Sequence, residues 1–281
     1  MLELLRGAYE MHIHTAPDVG PRKCSDLELA RRFRTCCLAG ALIKCHYADT
    51  APRAALLNEQ FPELRFFGGV TLNNSQGALN PAAVESCGKM GGRVVWFPTM
   101  DALAYRAFHA RTKPETPVAD GIAVCAADGS LRPEAAAVIA MAKRYGMIVA
   151  TGHISAQEGL AVVRECAAQG VQALVTHADN PADCYTTEQQ QEAVSLGAVI
   201  EHCYFTTYYD RTPAHIVAEQ IRAVGVENVI LSTDFGQPKS PYSDEGLELY
   251  AQVMAKEGFT DGELTMMFRT TPEKLLSIRR S

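Results

Sequence analysis

Eight short apolar runs, most of them separated by a segment of helical character, constrain this chain more than any other feature. They are Tyr9–His14, Ala41–Tyr47, Phe66–Leu72, Arg93–Thr99, Met147–His153, Ala173–His177, Ala198–Tyr204 and Val229–Asp234. Runs this short, several rich in valine or isoleucine, suit strands buried on both faces, as in a parallel sheet. Helices are expected between them at Asp26–Leu38, Pro81–Met90, Arg132–Tyr145, Ala156–Gln169, Thr187–Leu196, Pro213–Val224 and Asp244–Glu257. Ser25 stands where a cap is needed and Pro81 at a first helical position. A glycine follows most of these segments, as helix C-termini favour (Gly40, Gly91, Gly146, Gly170, Gly197, Gly225 and Gly258). Eight strands with intervening helices in 281 residues predict an α/β fold, a single (β/α)8 TIM barrel spanning residues 1–281 and not necessarily a regular one. A doubly wound sheet has fewer strands and a glycine-rich first turn, and neither G-x-G-x-x-G nor a P-loop occurs. One connection is too long for a turn. After the fourth strand, residues from about 101 to 132 read as a small hairpin insertion around Asp128-Gly129.

The strand ends carry the chemistry. On a barrel all the C-terminal strand ends open onto one face. His12 and His14 end the first run, His153 the fifth, His177 the sixth and Asp234 the eighth, so four of the eight histidines and an aspartate share one rim. Alternation along a strand turns His12 and His14 the same way, about 7 Å apart. Two neutral imidazoles so placed can share a divalent cation, with nitrogens about 2.0–2.1 Å from the ion if it is zinc. Such a cation brings the pKa of bound water to about 7, and a nearby carboxylate can pass the released proton to a leaving group.

This set resembles the amidohydrolase superfamily: H-x-H on strand one, histidines on strands five and six, aspartate on strand eight. The likeness spans essentially the whole chain, including Thr271-Pro272-Glu273-Lys274-Leu275-Leu276, which looks like the helix that closes many of these barrels. Ile43-Lys44-Cys45-His46 and Ser232-Thr233-Asp234-Phe235-Gly236-Gln237 look most like a group of uncharacterised amidohydrolase-like proteins. The resemblance implies that His12, His14 and Asp234 hold the more buried metal. It implies that His153 and His177 hold a second ion or, in a mononuclear enzyme, the one metal and the transition state. Asp234 and His177 are then the catalytic residues, Asp234 as the proton shuttle. The expected activity is metal-dependent hydrolysis of a C–N bond (amide or lactam) or an ester or lactone of a small polar molecule. One or two Zn2+ ions are expected, and Mn2+, Fe2+ or Ni2+ would also suit nitrogen and carboxylate donors.

Strand four departs from that pattern. Binuclear relatives place a bridging carboxylated lysine or glutamate there, and Arg93-Val94-Val95-Trp96-Phe97-Pro98-Thr99 offers neither. Lys44 on strand two is the alternative, as a carbamylated metal ligand, as a cation gripping a substrate anion, or as half of a structural ion pair, because a buried lysine is costly alone. His46 shares its face and is expected to orient substrate or a ligand. Glu201 and His202 are adjacent, so only one can face the barrel mouth; Glu201 fits better with Val199 and Cys203 inward, though either could meet substrate. Arg22, in the first loop, adds a substrate-binding cation. The missing bridge leaves a second activity open, a mononuclear non-hydrolytic lyase such as a decarboxylase or hydratase. A phosphoesterase that begins with H-x-H would need Asp-x-His at the end, where this chain has Gly236. A barrel that binds a ligand without turnover is the remaining rival.

Composition bounds the partners. A net charge of −6 without a basic stripe argues against nucleic acid, and no apolar stretch reaches the roughly 18 residues of a membrane span. The start has no signal-peptide pattern, and the nine cysteines are odd in number and scattered, which fits reduced thiols in a cytoplasmic protein. The expected partner is a small-molecule substrate, with a homo-oligomer left open.

Overall fold

The computed structural model describes residues 2–112 and 121–277. Its strands are β1 (Tyr9–Ile13), β2 (Gly40–Ile43), β3 (Arg65–Phe67), β4 (Gly69–Thr71), β5 (Val94–Trp96), β6 (Ile148–Ala150), β7 (Ala173–Val175), β8 (Val199–Cys203) and β9 (Val229–Ser232). All pair in parallel and in chain order, as two ladders, β1-β2-β3 and β4 through β9. The helices are α1 (Asp26–Cys36), α2 (Ala51–Gln60), α3 (Pro81–Lys89), α4 (Leu103–Thr112), α5 (Pro133–Arg144), α6 (Ala156–Gln169), α7 (Thr187–Ser195), α8 (Tyr204–Tyr208), α9 (Ala214–Val224), α10 (Ser243–Lys256), α11 (Asp261–Thr265) and α12 (Thr271–Leu276). The fold is a (β/α)8 barrel in which the third predicted strand is broken at Gly68.

Thr50 explains the break. Its hydroxyl lies 2.7 Å from the carbonyl oxygen of Ile43 and 2.9 Å from the amide nitrogen of Gly69, so it wedges between the end of β2 and the start of β4. A Cβ on Gly68 would stand 2.4 Å from the Thr50 backbone, an approach only glycine permits. Below the wedge β3 pairs with β2, and above it β4 pairs with β5.

The seam between β9 and β1 is closed partly by a side chain. Ile13 and Phe235 form a parallel bridge, and the Asp234 amide donates to the His12 carbonyl at 2.9 Å. β1 has a register shift between Glu10 and Ile13. The buried Glu10 carboxyl fills that gap: one oxygen accepts from the His12 and Thr233 amides at 3.0 Å each, and the other from the Thr233 hydroxyl at 2.7 Å. Burial pushes the Glu10 carboxyl up to about 8 despite these bonds. The shift also changes which residues face inward. Tyr9 and Met11 join the lower barrel core, and His12 and His14 stand above them at the mouth.

Two apolar layers hold the molecule together. Inside the barrel, Met11, Leu42, Trp96, Ile148, Leu174 and Ile230 pack with Leu275 and Leu276 of α12, which plugs the bottom. Outside it, Phe33, Leu57, Val138, Val163, Ile221 and Leu247 fill the space between strands and helices. The expected hairpin after strand four is reduced to one antiparallel bridge, Cys125 to Leu131, around Gly129. The same insertion instead builds α4, a run without glycine or proline; residues 113–120 of the expected hairpin lie outside the described residues. No described helix is long and apolar enough to cross a membrane.

Candidate metal centre and active site

The end of β1 and the second residue after β9 meet at one carboxylate oxygen. Asp234 Oδ1 is 3.2 Å from His12 Nε2 and 3.3 Å from His14 Nε2. Asp234 and His177 both hold positive φ, +52° and +28°, a backbone region costly for residues other than glycine, and both follow strand ends. The burial of Asp234 is outweighed by the His12 and His14 imidazoles, so it stays ionised. Behind His12, Glu201 Oε2 is 3.1 Å from Nδ1, and Glu201 Oε1 accepts from the Ser232 hydroxyl at 2.7 Å. A carboxylate on Nδ1 fixes the tautomer that leaves an Nε2 lone pair for a metal.

Five imidazoles close a ring at the mouth. Their centroids are 5.9 Å apart from His12 to His177, 4.8 Å on to His153, 5.6 Å to His46, 4.6 Å to His14 and 5.5 Å back to His12. Burial lowers His14 to about 3 and takes His46 and His153 well below the ordinary histidine value, so these rings are neutral bases. His177 differs: its burial is outweighed by Asp183, which lies 2.8 Å from Nδ1, close enough for an ion pair though not aligned as a hydrogen bond. His46 Nδ1 sits 2.8 Å from the Thr99 hydroxyl, which Asn73 also contacts.

The structure separates the remaining sequence candidates. Glu201 and His202 do part company, but neither lines the cavity: Glu201 holds His12, while His202 is fully buried with Nδ1 2.8 Å from Asp179. Both expected substrate contacts thus lie behind the strand ends, away from this cavity. Lys44 is also fully buried, its Nζ 3.0 Å from His12 Nε2, and a substrate anion in the cavity would not reach it. Arg22 lines the cavity, with Asp18 accepting from Nε and Nη2 at 2.7 Å each. Sequence reasoning missed Tyr105, His109 and Arg211, which line the same cavity of about 150 Å³, and Asp183 behind His177. The Tyr105–His109 spacing, one helical turn, was the available signal; the others sit on irregular loops.

These residues fit a divalent cation. His12, His14 and Asp234 bring their donor atoms within 4.8 Å of one another. His177 Nε2 and His153 Nδ1 are buried without a hydrogen-bond partner, which is costly for imidazoles that do not meet an ion. Neutral imidazole nitrogen and carboxylate oxygen form a donor set for a borderline metal.

The fold is similar to that of solved amidohydrolase barrels. An amidohydrolase from Pseudomonas aeruginosa superposes with a TM-score of 0.65 at 12% identity, over 98% of each chain. The probable dipeptidase PvdM from the same organism gives 0.64 at 12% identity, over 96% of this chain and 94% of that one. A putative 2-pyrone-4,6-dicarboxylic acid hydrolase from Pseudomonas putida gives 0.59 at 11% identity, over 98% and 99%. The chain belongs to a family of unknown function, DUF6282, whose pattern matches residues 7–201. No curated protein matches it in sequence.

Proposed function

We propose that the protein is a metal-dependent hydrolase that cleaves a C–N or ester bond of a small polar molecule. One observation carries this reading: two imidazole Nε2 atoms, from His12 of β1 and His14 just after it, converge on a single oxygen of Asp234, with Glu201 orienting the inner imidazole from behind. His12, His14 and Asp234 would hold a divalent cation there, which would supply acidified water and Lewis-acid polarisation of a carbonyl. The chain's own groups do the rest. Asp234 is ionised and lines the cavity, so it can accept a proton and return it to the leaving group. His177, anchored by Asp183 behind the cavity wall, has its Nε2 unpartnered beside His153, where it would help hold a cation. Barrel enzymes with the same fold include hydrolases by name, which supports the reaction class and leaves the substrate open.

A second reading has its own support. β5 carries no carboxylate or amine to bridge two ions, and a carbamate on Lys44, just after β2, is the candidate bridge for a two-ion site. A single ion would suit a lyase such as a decarboxylase or hydratase. Elemental analysis of wild-type protein and of the His12→Ala/His14→Ala double variant tests the metal centre. Stoichiometric metal in the first and its loss in the second are expected. Equal metal in both, or none in either after metal-supplemented expression, refutes the proposal. Assays with amides, lactones and esters against decarboxylation substrates then separate hydrolase from lyase.

A further inference from the structure

Resting on the reading of this cavity as the active site, we infer that the substrate is a small organic acid whose carboxylate is held by Arg22 and Arg211. Both guanidinium groups line the cavity, Arg22 from the loop after β1 and Arg211 from the loop after α8. Asp234 is the only acidic residue among the described lining residues, and it is committed to His12 and His14. Arginine cannot shed its charge, so with Asp18 offsetting Arg22, Arg211 is the cation of the wall that stands without a carboxylate among the described residues, and a bound metal ion would add to it.

The two arginines are built differently. Arg22 is pre-set: Asp18 accepts from Nε and Nη2, and Nη2 also lies 3.4 Å from His14 Nδ1, beside the metal-binding imidazoles. Asp18 itself is pulled below the ordinary carboxylate range by Arg22, against the opposing effect of its own burial. Arg211 stands at the exposed rim, stacked 4.6 Å over Phe205, another wall residue, and no described carboxylate lies within ion-pair distance of it. A planar guanidinium held this way matches a carboxylate through two parallel hydrogen bonds.

Size narrows the class further. About 150 Å³ is the share of some five water molecules and about half the lower limit of drug-sized pockets, so a short-chain acid fits and an extended peptide does not. Tyr105 and His109 of α4 form part of the wall, and Asn180 and Gln237 add neutral polar groups.

Isothermal titration with malonate, succinate, glutarate, inorganic phosphate and the neutral diamides malonamide and succinamide tests this on the metal-loaded protein and again after chelation. At least one acid is expected to bind tenfold or more tighter than its diamide and tighter than phosphate. That binding should persist, weakened, without metal, and fall at least tenfold in Arg211→Met with metal content unchanged. Arg211→Lys should recover part of the loss. Arg22→Met should behave likewise, and because Arg211 lies on an exposed loop the test survives a folding defect at Arg22. Diamide binding equal to that of the acid, phosphate preferred over every acid, no binding at about 10 mM, unchanged affinity in Arg211→Met, or complete loss on chelation would each overturn the inference. Metal content is measured separately, so failure of the hydrolase reading and failure of this one are distinguishable.

Discussion

At the scale of single residues, Lys44 is the most consequential. Its amine is fully buried 3.0 Å from His12 Nε2, the nitrogen that a metal would take. Burial lowers its pKa, because desolvation disfavours the ammonium. An ammonium and a divalent cation cannot comfortably share one imidazole nitrogen, whereas a neutral amine can react with CO2 and offer two carbamate oxygens. Lys44→Ala is therefore expected to lose one of two metals and retain the other, with partial rescue by bicarbonate and a short carboxylic acid. Metal counting checks it: two ions in the variant rule out the bridge, and a single ion in wild type makes it unnecessary. Residues at strand ends were legible in the sequence because a barrel brings all such ends together. That logic brings His12, His14, His153, His177 and Asp234 to one rim from the sequence alone. It could not reach Asp183, six residues beyond His177, or Glu10, whose carboxyl works sideways in a seam that periodicity does not reveal.

At the scale of elements, the helices were read nearly to the residue wherever a cap or glycine marked the end. Ser25 accepts from the Glu28 amide at 3.2 Å, and α6 runs over the expected Ala156–Gln169. Helix α2 escaped notice because it starts at Ala51-Pro52, directly beneath the Thr50 wedge, with a weak amphipathic pattern. Helix α4 was hidden behind the turn signal at Asp128-Gly129. Short α11 illustrates capping that can be tested. Glu263 closes a capping box with Thr260 and pairs with Arg222, which pulls its carboxyl from 4.5 down to about 2. A depressed folded-state value means stabilisation that is complete above pH 4.5 and lost as the pH falls toward 2. Glu263→Gln should thus lower Tm slightly near neutrality and show a shallower loss across that acid window. Parallel acid melting curves for the two proteins would show that the pair contributes nothing.

At the scale of the whole molecule, the barrel is closed at its lower end by α12. Leu275 and Leu276 pack against Tyr9, Met11 and their neighbours, and Arg93 donates to the Leu275 carbonyl at 3.1 Å and to the Gly146 carbonyl at 2.8 Å. Leu276→Ala should cost about 2–5 kcal/mol in denaturant unfolding, the usual range for a truncated core leucine. Metal content should not change, since the plug lies at the end opposite the mouth. A cost below about 1 kcal/mol would mean that α12 is a surface tail.

The join between the first and last strands ties the history of this protein's chemistry to its architecture. His12 and Asp234 hang from the same few peptide groups that weld the cylinder shut, with Glu10 as the rivet. A change that re-aims either ligand also opens the weld, so selection sees the two as one trait and keeps both. The outer wall formed by Tyr105 and His109 of α4 and by Arg211 bears no such double duty, and new specificities should be written there while the welded side stands still.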